Sequence, residues 1–267
     1  ASGNLGLVLR SSVPASIQKN KINLLCPNKD ELDITNSSSC EEYIKKYSPN
    51  YVINSAAYTK ADQAEKEFEK AHLINGKSLN YLSKNLLNYG GKLIQISTDA
   101  IFHSNKKEFF KPNSIPNPIN KYGLSKLEGE ENIRKILFKS NQAYIIRTSW
   151  LMGHTGTNFL KTMVNLHKTR NHLKIVYDQS GFLTTSSSLA SFCWELIKKD
   201  TNGKTMPKIL HWCDEGQTSW FEIASHIGYR GEKIGLFNKK ASLEKVNLAN
   251  YPALAPRGLY SLLDSSE

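Results

Sequence analysis

Several features that mark membrane, zinc-binding and disulfide-stabilised proteins are missing from this sequence. No run of about 18 apolar residues occurs, so a membrane-spanning helix is not expected. The chain has four cysteines and seven histidines, and neither type is clustered at a spacing typical of metal ligands. No C-x-x-C pair is present either. We therefore expect no metal and no disulfide scaffold, and we expect the protein to occupy the reducing cytoplasm.

Acidic residues are fewer than basic ones, which gives a formal net charge of +11. A basic surface can attract nucleic acid, anionic lipid or a polyphosphate ligand. The lysines are scattered along the chain, and no arginine-rich arm, zinc finger or RNA-binding signature accompanies them. We therefore expect a solvated lysine-rich surface and neither a nucleic-acid nor a membrane partner.

Apolar segments typical of buried parallel strands alternate with segments of helical periodicity. The predicted strands are Lys21–Cys26, Tyr51–Asn54, Lys92–Ser97, Ala143–Thr148 and Leu173–Tyr177, and the predicted helices are Ser39–Tyr47, Asp62–Tyr89, Ser125–Phe138, Asn158–Thr169 and Leu189–Lys199. This alternation predicts an α/β fold, a doubly wound parallel sheet of the Rossmann type with a smaller C-terminal lobe. We assign residues 1–150 to a nucleotide-binding domain, to which residues 173–199 return, and residues 151–267 mainly to a substrate-binding lobe.

The first residues read as the interior of a phosphate-binding turn. Gly3 and Gly6 enclose Asn4 and Leu5, and glycines there let backbone N–H groups approach a pyrophosphate. An ordinary tight turn explains two glycines three residues apart equally well. No apolar strand or further glycine precedes them in the sequence, so we expect the sheet to lack its first strand. Without that strand we expect weak cofactor binding and aggregation through unpaired strand edges.

Two further segments have residues suited to a dinucleotide. Asp33 and Ile34 lie a short distance past the predicted strand Lys21–Cys26, where a carboxylate can contact the adenine end of a cofactor, although Asp33 could equally be a helix N-cap. The small residues Ala56 and Ala57, followed by Thr59, allow a cofactor to lie close to the backbone, or they are simple packing at a strand end. Both alternatives remain open for each segment.

The strongest local signal for chemistry joins a strand end to a helix. Thr98 ends a predicted strand, and Tyr122 and Lys126 follow in a Y-x-x-x-K pattern whose residues share one helical face. We expect the Lys126 ammonium to lower the pKa of Tyr122 and to bind a ribose, while Thr98 orients a substrate carbonyl. Tyr229 and Lys233 repeat the pattern without such a strand, so we interpret them as a surface turn.

Trp150 follows the predicted strand Ala143–Thr148 directly. Ligands of doubly wound sheets bind at the carboxyl edge of the strands, so its ring could stack on a sugar or a base. Packing in the core is the alternative.

Motifs along nearly the whole chain resemble one family. They are LDIT (Leu32–Thr35), VINSAAYTKADQAE (Val52–Glu65), ISTDAIF (Ile96–Phe102), NPINKYGLSKLEGE (Asn117–Glu130), IIRTSW (Ile145–Trp150), NFLKTM (Asn158–Met163), VYDQSG (Val176–Gly181), GQTSW (Gly216–Trp220) and APR (Ala255–Arg257). In content and order they resemble the dTDP-4-dehydrorhamnose reductase family. The resemblance implies NADPH- or NADH-dependent reduction of the 4-keto group of a nucleotide-linked 6-deoxyhexose, a precursor of cell-surface polysaccharide.

The resemblance also implies a role for individual residues. The catalytic residues would be Thr98, Tyr122 and Lys126. The cofactor would contact Gly3, Asn4, Leu5, Gly6, Asp33, Ile34, Ala56, Ala57, Thr59, Tyr122 and Lys126, and the nucleotide sugar would contact Thr98, Asp99 and Trp150. Lys29 is a candidate contact for the 2′-phosphate of NADPH, and a homodimer is compatible with the resemblance.

Some positions depart from the family pattern on the substrate side. Ala100 replaces a tyrosine, Gly258 replaces a proline, Tyr260 replaces an asparagine, and G-x-P-T becomes Gly181–Thr184. These changes leave the identity of the sugar open. Two alternative functions also remain: a nucleotide-sugar epimerase or dehydratase on the same scaffold, and a non-catalytic binding subunit such as the one that exists for methionine adenosyltransferase.

Overall fold

The computed structural model of the chain describes residues 2–18 and 22–266. Its α-helices are α1 (Asn4–Ser11), α2 (Ala15–Gln18), α3 (Ser37–Tyr47), α4 (Ala61–Ala64), α5 (Phe68–His72), α6 (Ser78–Tyr89), α7 (Lys121–Leu137), α8 (Phe159–Thr169), α9 (Ser186–Thr201) and α10 (Trp220–Lys233). Its strands are β1 (Tyr51–Asn54), β2 (Lys92–Thr98), β3 (Ala143–Thr148), β4 (Leu151–Met152), β5 (His172–Val176), β6 (Ser180–Phe182), β7 (Thr184–Thr185), β8 (Ile209–His211), β9 (Gln217–Ser219), β10 (Ser242–Val246) and β11 (Tyr260–Ser261). No helix in these described ranges is long and apolar enough to cross a membrane.

The main sheet is parallel and has the order β1-β2-β3-β8. Its strands are apolar because helices cover both faces. Leu93 and Ile145 lie in a core with α3, α6 and α7, whereas Ile94 and Ile146 lie in a core with α1 and α9. Neighbouring residues of a strand point to opposite faces, so these alternating contacts define three layers. The predicted doubly wound α/β fold is confirmed, as are the bounds predicted for β1 and β3.

Helix α7 begins four residues earlier than the sequence predicts. The side chain of Asn120 accepts a hydrogen bond from the N–H of Gly123 at 2.7 Å, which is an N-cap, and the helix begins at Lys121. The prediction that this helix starts at Ser125 is therefore wrong. The earlier start places both Tyr122 and Lys126 on the helix.

The single helix predicted over Asp62–Tyr89 is also wrong. It is divided into α4, α5, a π-helical turn at Leu73–Lys77, and α6. The break after α4 allows the Glu65 carboxylate to accept a hydrogen bond from the N–H of Lys121 at 2.8 Å. Glu65 and the start of α7 are far apart in the sequence, so the helical periodicity of Asp62–Tyr89 could not predict this contact.

Two predicted strands do not join the main sheet. Residues 22–28 form no strand, and Lys21 lies outside the described residues. A strand needs a neighbour for its backbone hydrogen bonds, and no described strand pairs with this segment, which leaves Ile22 and Leu24 exposed. The predicted strand Leu173–Tyr177 corresponds to β5, which pairs with β10 instead of returning to the main sheet.

The remaining elements form a smaller lobe. It contains α8 and α10 around a core with β5, together with the short sheets β11-β6-β9 and β4-β7. The following helix α9 packs on the main sheet through Leu189, Ala190 and Cys193. Residues after position 150 therefore contribute to both cores.

Candidate functional site

Thr98, Tyr122 and Lys126 lie together where β2 ends beside the start of α7. The Thr98 side chain lies close enough to the Tyr122 hydroxyl to act on its ionisation. One helical turn further on, the Lys126 ammonium donates to the backbone carbonyl of Ile96 at 2.7 Å. Lys126 is only 4% exposed, so the geometry of this group is fixed by packing.

The electrostatics of Tyr122 differ from the expectation. Burial raises the pKa of Tyr122 to about 12, the hydrogen bond with Thr98 acts in the opposite direction, and the charge of Asp99 adds to the increase. The prediction that Lys126 lowers this pKa is wrong here, since the ammonium bonds to Ile96. Burial lowers the pKa of Lys126 itself to about 8, against the opposing charge of Glu130. Tyr122 is thus protonated at neutral pH.

Asp99 follows Thr98 and links β2 to the C-terminal segment. Its carboxylate accepts hydrogen bonds from the Thr98 hydroxyl at 3.0 Å and from the Ser261 hydroxyl. Burial raises the pKa of the Asp99 carboxyl to about 6. Ionisation of this group is therefore less favourable in the folded protein than in the unfolded chain, although the carboxyl is still mostly ionised at pH 7.

We expect Asp99→Asn to be more stable relative to the unsubstituted protein at pH 7 than at pH 4. A raised acid pKa contributes stability at low pH, and the contribution is lost as pH rises from 3.8 through about 6. The amide has no charge to lose, and the partner hydroxyls can accept as well as donate. The measurement is Tm against pH, with the exposed Asp30→Asn as control. A Tm difference independent of pH would contradict the assignment.

Gly3 to Gly6 form the start of α1. Gly3 is the N-cap, no side chain among the described residues caps the helix, and the first turn contains no acidic residue. A Cβ built at Gly3 would meet nothing within 4 Å, so the space beside the N-cap is open, and helix N-termini are places where anions bind. Leu5 and Gly6 are buried. The side chain of Asn4 is bound to Thr155: its amide oxygen Oδ1 accepts a hydrogen bond from the Thr155 hydroxyl at 2.9 Å.

Asp33 and Ile34 lie in a turn before α3. The Asp33 carboxylate accepts from the N–H and the hydroxyl of Thr35 at 2.9 and 2.6 Å, and the second of these bonds is the main cause of its lowered pKa. Lys29 lies 3.8 Å from the same carboxylate and is otherwise exposed. Ile34 packs on the core below α3. The N-cap of α3 is Asn36, so the alternative that Asp33 is the cap is wrong.

The loop of Ala56, Ala57 and Thr59 is supported by a residue that the sequence analysis missed. Asn75, in the π-helical turn, accepts from the N–H of Tyr58 and donates to its carbonyl, both at 2.9 Å. It also donates to the Ser125 hydroxyl at 3.0 Å, and therefore joins this loop to α7. π-Helical turns are frequent at functional sites. Ala56 and Thr59 are exposed at the surface of the loop.

Trp150 has a left-handed backbone conformation, with φ of 42°. Its ring stacks on Trp220 with centroids 4.0 Å apart and planes 20° apart. A Cβ at Gly181 would lie 2.7 Å from this ring, so the contact requires glycine. Trp150 is half-buried, so it both packs in the smaller lobe and has an accessible surface.

Residues 254–257 lie against the start of α4 and α7, a contact that the sequence also did not reveal. The Asp62 carboxylate accepts from the N–H groups of Leu254 and Ala255 and from the guanidinium of Arg257 at 2.9 Å. Asn120, the N-cap of α7, donates to the carbonyl of Pro256 at 3.0 Å. The C-terminal segment therefore borders the group around Tyr122.

Comparisons of the sequence and the fold with known proteins point to one family. The family model described as RmlD substrate binding domain matches residues 1–267. The chain is 35% identical to dTDP-4-dehydrorhamnose reductase of Aggregatibacter actinomycetemcomitans, over 99% of this chain and 88% of that protein. It is 34% identical to the spore coat polysaccharide biosynthesis protein SpsK of Bacillus subtilis, over 98% and 86%. A crystal structure of dTDP-4-dehydrorhamnose reductase from Bacillus anthracis in complex with NADP matches with a TM-score of 0.88, 33% identity and coverage of 99% and 88%. The chain therefore belongs to the dTDP-4-dehydrorhamnose reductase family.

Proposed function

We propose that this protein is an NADPH- or NADH-dependent reductase of the 4-keto group of a nucleotide-linked 6-deoxyhexose. The reaction is of the type that converts dTDP-4-dehydrorhamnose to dTDP-rhamnose, a precursor of cell-surface polysaccharide. One observation carries the proposal: the Thr98 and Tyr122 side chains meet at the carboxyl end of β2, with Lys126 one helical turn away and bound to the carbonyl of Ile96. The names of the relatives and the NADP bound in the Bacillus anthracis structure support it.

The residues divide the reaction between them. A nicotinamide cofactor, when bound, would supply hydride to the carbonyl carbon. The Tyr122 hydroxyl donates its proton to the carbonyl oxygen as negative charge develops there, and its raised pKa keeps that proton available at neutral pH. The Thr98 hydroxyl orients the same oxygen. Tyr122 loses a proton in this step and must regain it from solvent before the next turnover.

The residues present fit a dinucleotide. The uncapped N-terminus of α1 suits the pyrophosphate, and the small residues Ala56 and Ala57 permit close approach to the backbone. We propose that Lys126 binds the nicotinamide ribose and that Asp33 and Ile34 border the adenine end. Asn4 would contribute through its backbone, since its side chain bonds to Thr155.

Asp99 and Trp150 are proposed to bind the sugar. Asp99 follows the carboxyl end of β2 and Trp150 follows that of β3, and these two strands are adjacent in the sheet. The division into a nucleotide-binding domain of residues 1–150 and a substrate-binding lobe of 151–267 is part of the proposal, with α9 and β8 belonging to the first. A cytoplasmic location is included because all four cysteines are free. Self-association as a homodimer is included too and is tested by light scattering.

The test is an assay of cofactor oxidation against a panel of 4-keto nucleotide sugars. We expect turnover with dTDP-4-dehydrorhamnose and with either NADPH or NADH. A panel that varies the base and the sugar separately defines the substrate specificity. Ala100 and Gly258 differ from the residues usual in the family on the substrate side, so this specificity is open. Binding of cofactor without oxidation of it by any 4-keto sugar would contradict the proposal and favour a non-catalytic binding subunit.

A further inference from the structure

Three consecutive residues of β2 contact three successive turns of α7. The Thr98 side chain lies beside Tyr122, the carbonyl of Ile96 accepts from Lys126, and the Ser97 hydroxyl donates to the Glu130 carboxylate at 2.5 Å. The helix residues are spaced by four, so they form one stripe on the face that meets the strand. Tyr122 and Lys126 belong to the proposed reaction, and Glu130 has no role in it so far.

Glu130 is anchored to β3 by a fully buried ion pair. Its carboxylate accepts from Nη2 of Arg147 at 2.7 Å and from Nε at 3.0 and 3.2 Å, and both side chains are 1% exposed. Nη1 of Arg147 donates to the carbonyl of Pro112 at 2.9 Å, and its guanidinium lies 5.1 Å from the ring centre of Phe102. A buried pair with this many bonds fixes the position of both elements, because removing one partner leaves a buried charge.

We propose that Glu130 is a positioning residue for the reduction, which keeps Lys126 charged and fixes the place of Tyr122 and Lys126 along β2. This inference rests on the proposed function. Burial lowers the pKa of Lys126 to about 8, close to neutral pH, and Glu130 is the charged group that opposes the decrease. A neutral Lys126 amine would bind ribose hydroxyls less strongly, since bonds from a charged donor are the stronger ones.

Other charged groups near α7 have different partners. Arg147 is neutralised by Glu130, and Asp99 acts on Tyr122, which is neutral below about pH 12. The remaining charged groups on the elements packed against α7 pair away from Lys126 or are exposed. The pairs are His72 with Glu128, Asp62 with Arg257, Lys70 with Glu67 and Lys92 with Asp200, and Glu69, Lys77 and Lys84 are exposed. Removing the charge of Glu130 should therefore lower the pKa of Lys126, and the Arg147 charge that it leaves unpaired acts in the same direction.

The experiment is a fluorescence titration of NADPH and NADH binding against pH for Glu130→Gln. The substitution removes the charge that favours the ammonium, so the pKa of Lys126 falls further and cofactor affinity is lost at a lower pH. We expect the Kd at pH 6.5 to stay within about twofold of the unsubstituted protein and to rise about fivefold or more at pH 8.5. Glu130→Asp, which restores the charge, should restore the pH dependence.

A matched control separates the charge effect from lost stability. Asp200 is a buried carboxylate that pairs with Lys92 at 2.7 Å and bonds to Tyr144, at the opposite end of the sheet. Asp200→Asn should lower Tm and leave the pH dependence of cofactor binding unchanged. If Glu130→Gln does not fold, the double variant Glu130→Leu/Arg147→Met replaces the pair by apolar residues. It removes the opposing Arg147 charge as well, so its shift should have the same sign and be smaller.

The outcomes distinguish the two proposals. A folded Glu130→Gln or double variant with the pH dependence of the unsubstituted protein would overturn the role of Glu130 and leave the proposed function intact. An unsubstituted protein that binds neither NADPH nor NADH at any pH would overturn the proposed function, and the inference with it.

Discussion

Tyr122→Phe is expected to lower kcat by about 10²–10⁴-fold, the usual contribution of general acid catalysis. The phenylalanine ring keeps the packing of the tyrosine and removes only the hydroxyl, which lies beside Thr98. Because the phenol acts on the substrate oxygen, the Kd for NADPH or NADH should change by no more than a few fold. Steady-state kinetics with dTDP-4-dehydrorhamnose and a fluorescence titration of the cofactor measure the two effects.

The second Y-x-x-x-K pattern provides the control. Tyr229 is 54% exposed on α10, and Tyr229→Phe should leave kcat unchanged. A Tyr122→Phe protein that keeps more than about half of its kcat would exclude Tyr122 as the proton donor.

Lys126→Met should lose both turnover and cofactor affinity. Methionine has a similar length and no charge, so it fills the same space without an ammonium to bind the ribose. Hydrogen bonds to charged groups contribute about 1.5–3 kcal/mol, which corresponds to a Kd higher by about tenfold or more. Titration of NADPH at pH 7, where the ammonium of the unsubstituted protein is still largely charged, measures this effect.

Lys233→Met, in the exposed second pattern, is the control for this substitution and should bind cofactor normally. If Lys126→Met also binds NADPH with unchanged affinity, the ribose contact is wrong. If Lys126→Met lost turnover but kept cofactor affinity, Lys126 would act on the reaction through Tyr122 and not by binding the ribose.

The sequence predicts those parts of the fold that depend on local pattern. Tyr51–Asn54 and Ala143–Thr148 are short apolar runs with polar ends, and each forms the predicted strand in a parallel sheet, where its neighbour is β2. Lys21–Cys26 has similar composition but no described neighbour, and pairing between distant segments is not encoded in composition. β5 was recognised as a strand for the same local reason, while its partner β10 lies about seventy residues away and could not be inferred.

The site shows the same division between local and distant contacts. The four-residue spacing of Tyr122 and Lys126 follows from helix geometry, so their common face was predictable. Their ionisation was not, because it depends on burial and on whether Lys126 bonds to Ile96 or to Tyr122. Asn75 was missed, and the contact between Arg257 and Asp62 was not foreseen, because Ser125 lies far from Asn75 along the chain and Asp62 far from Arg257.

The stacked rings of Trp150 and Trp220 give the protein an optical signal of its own. Two indoles with centroids 4.0 Å apart couple electronically, so their near-ultraviolet circular dichroism depends on their relative orientation. Trp150 lies at the end of β3, whereas Trp220 begins α10 in the smaller lobe. A change in the angle between these two parts of the molecule therefore alters the dichroism of the pair without any attached dye, and it can be followed in stopped flow as ligands are mixed in.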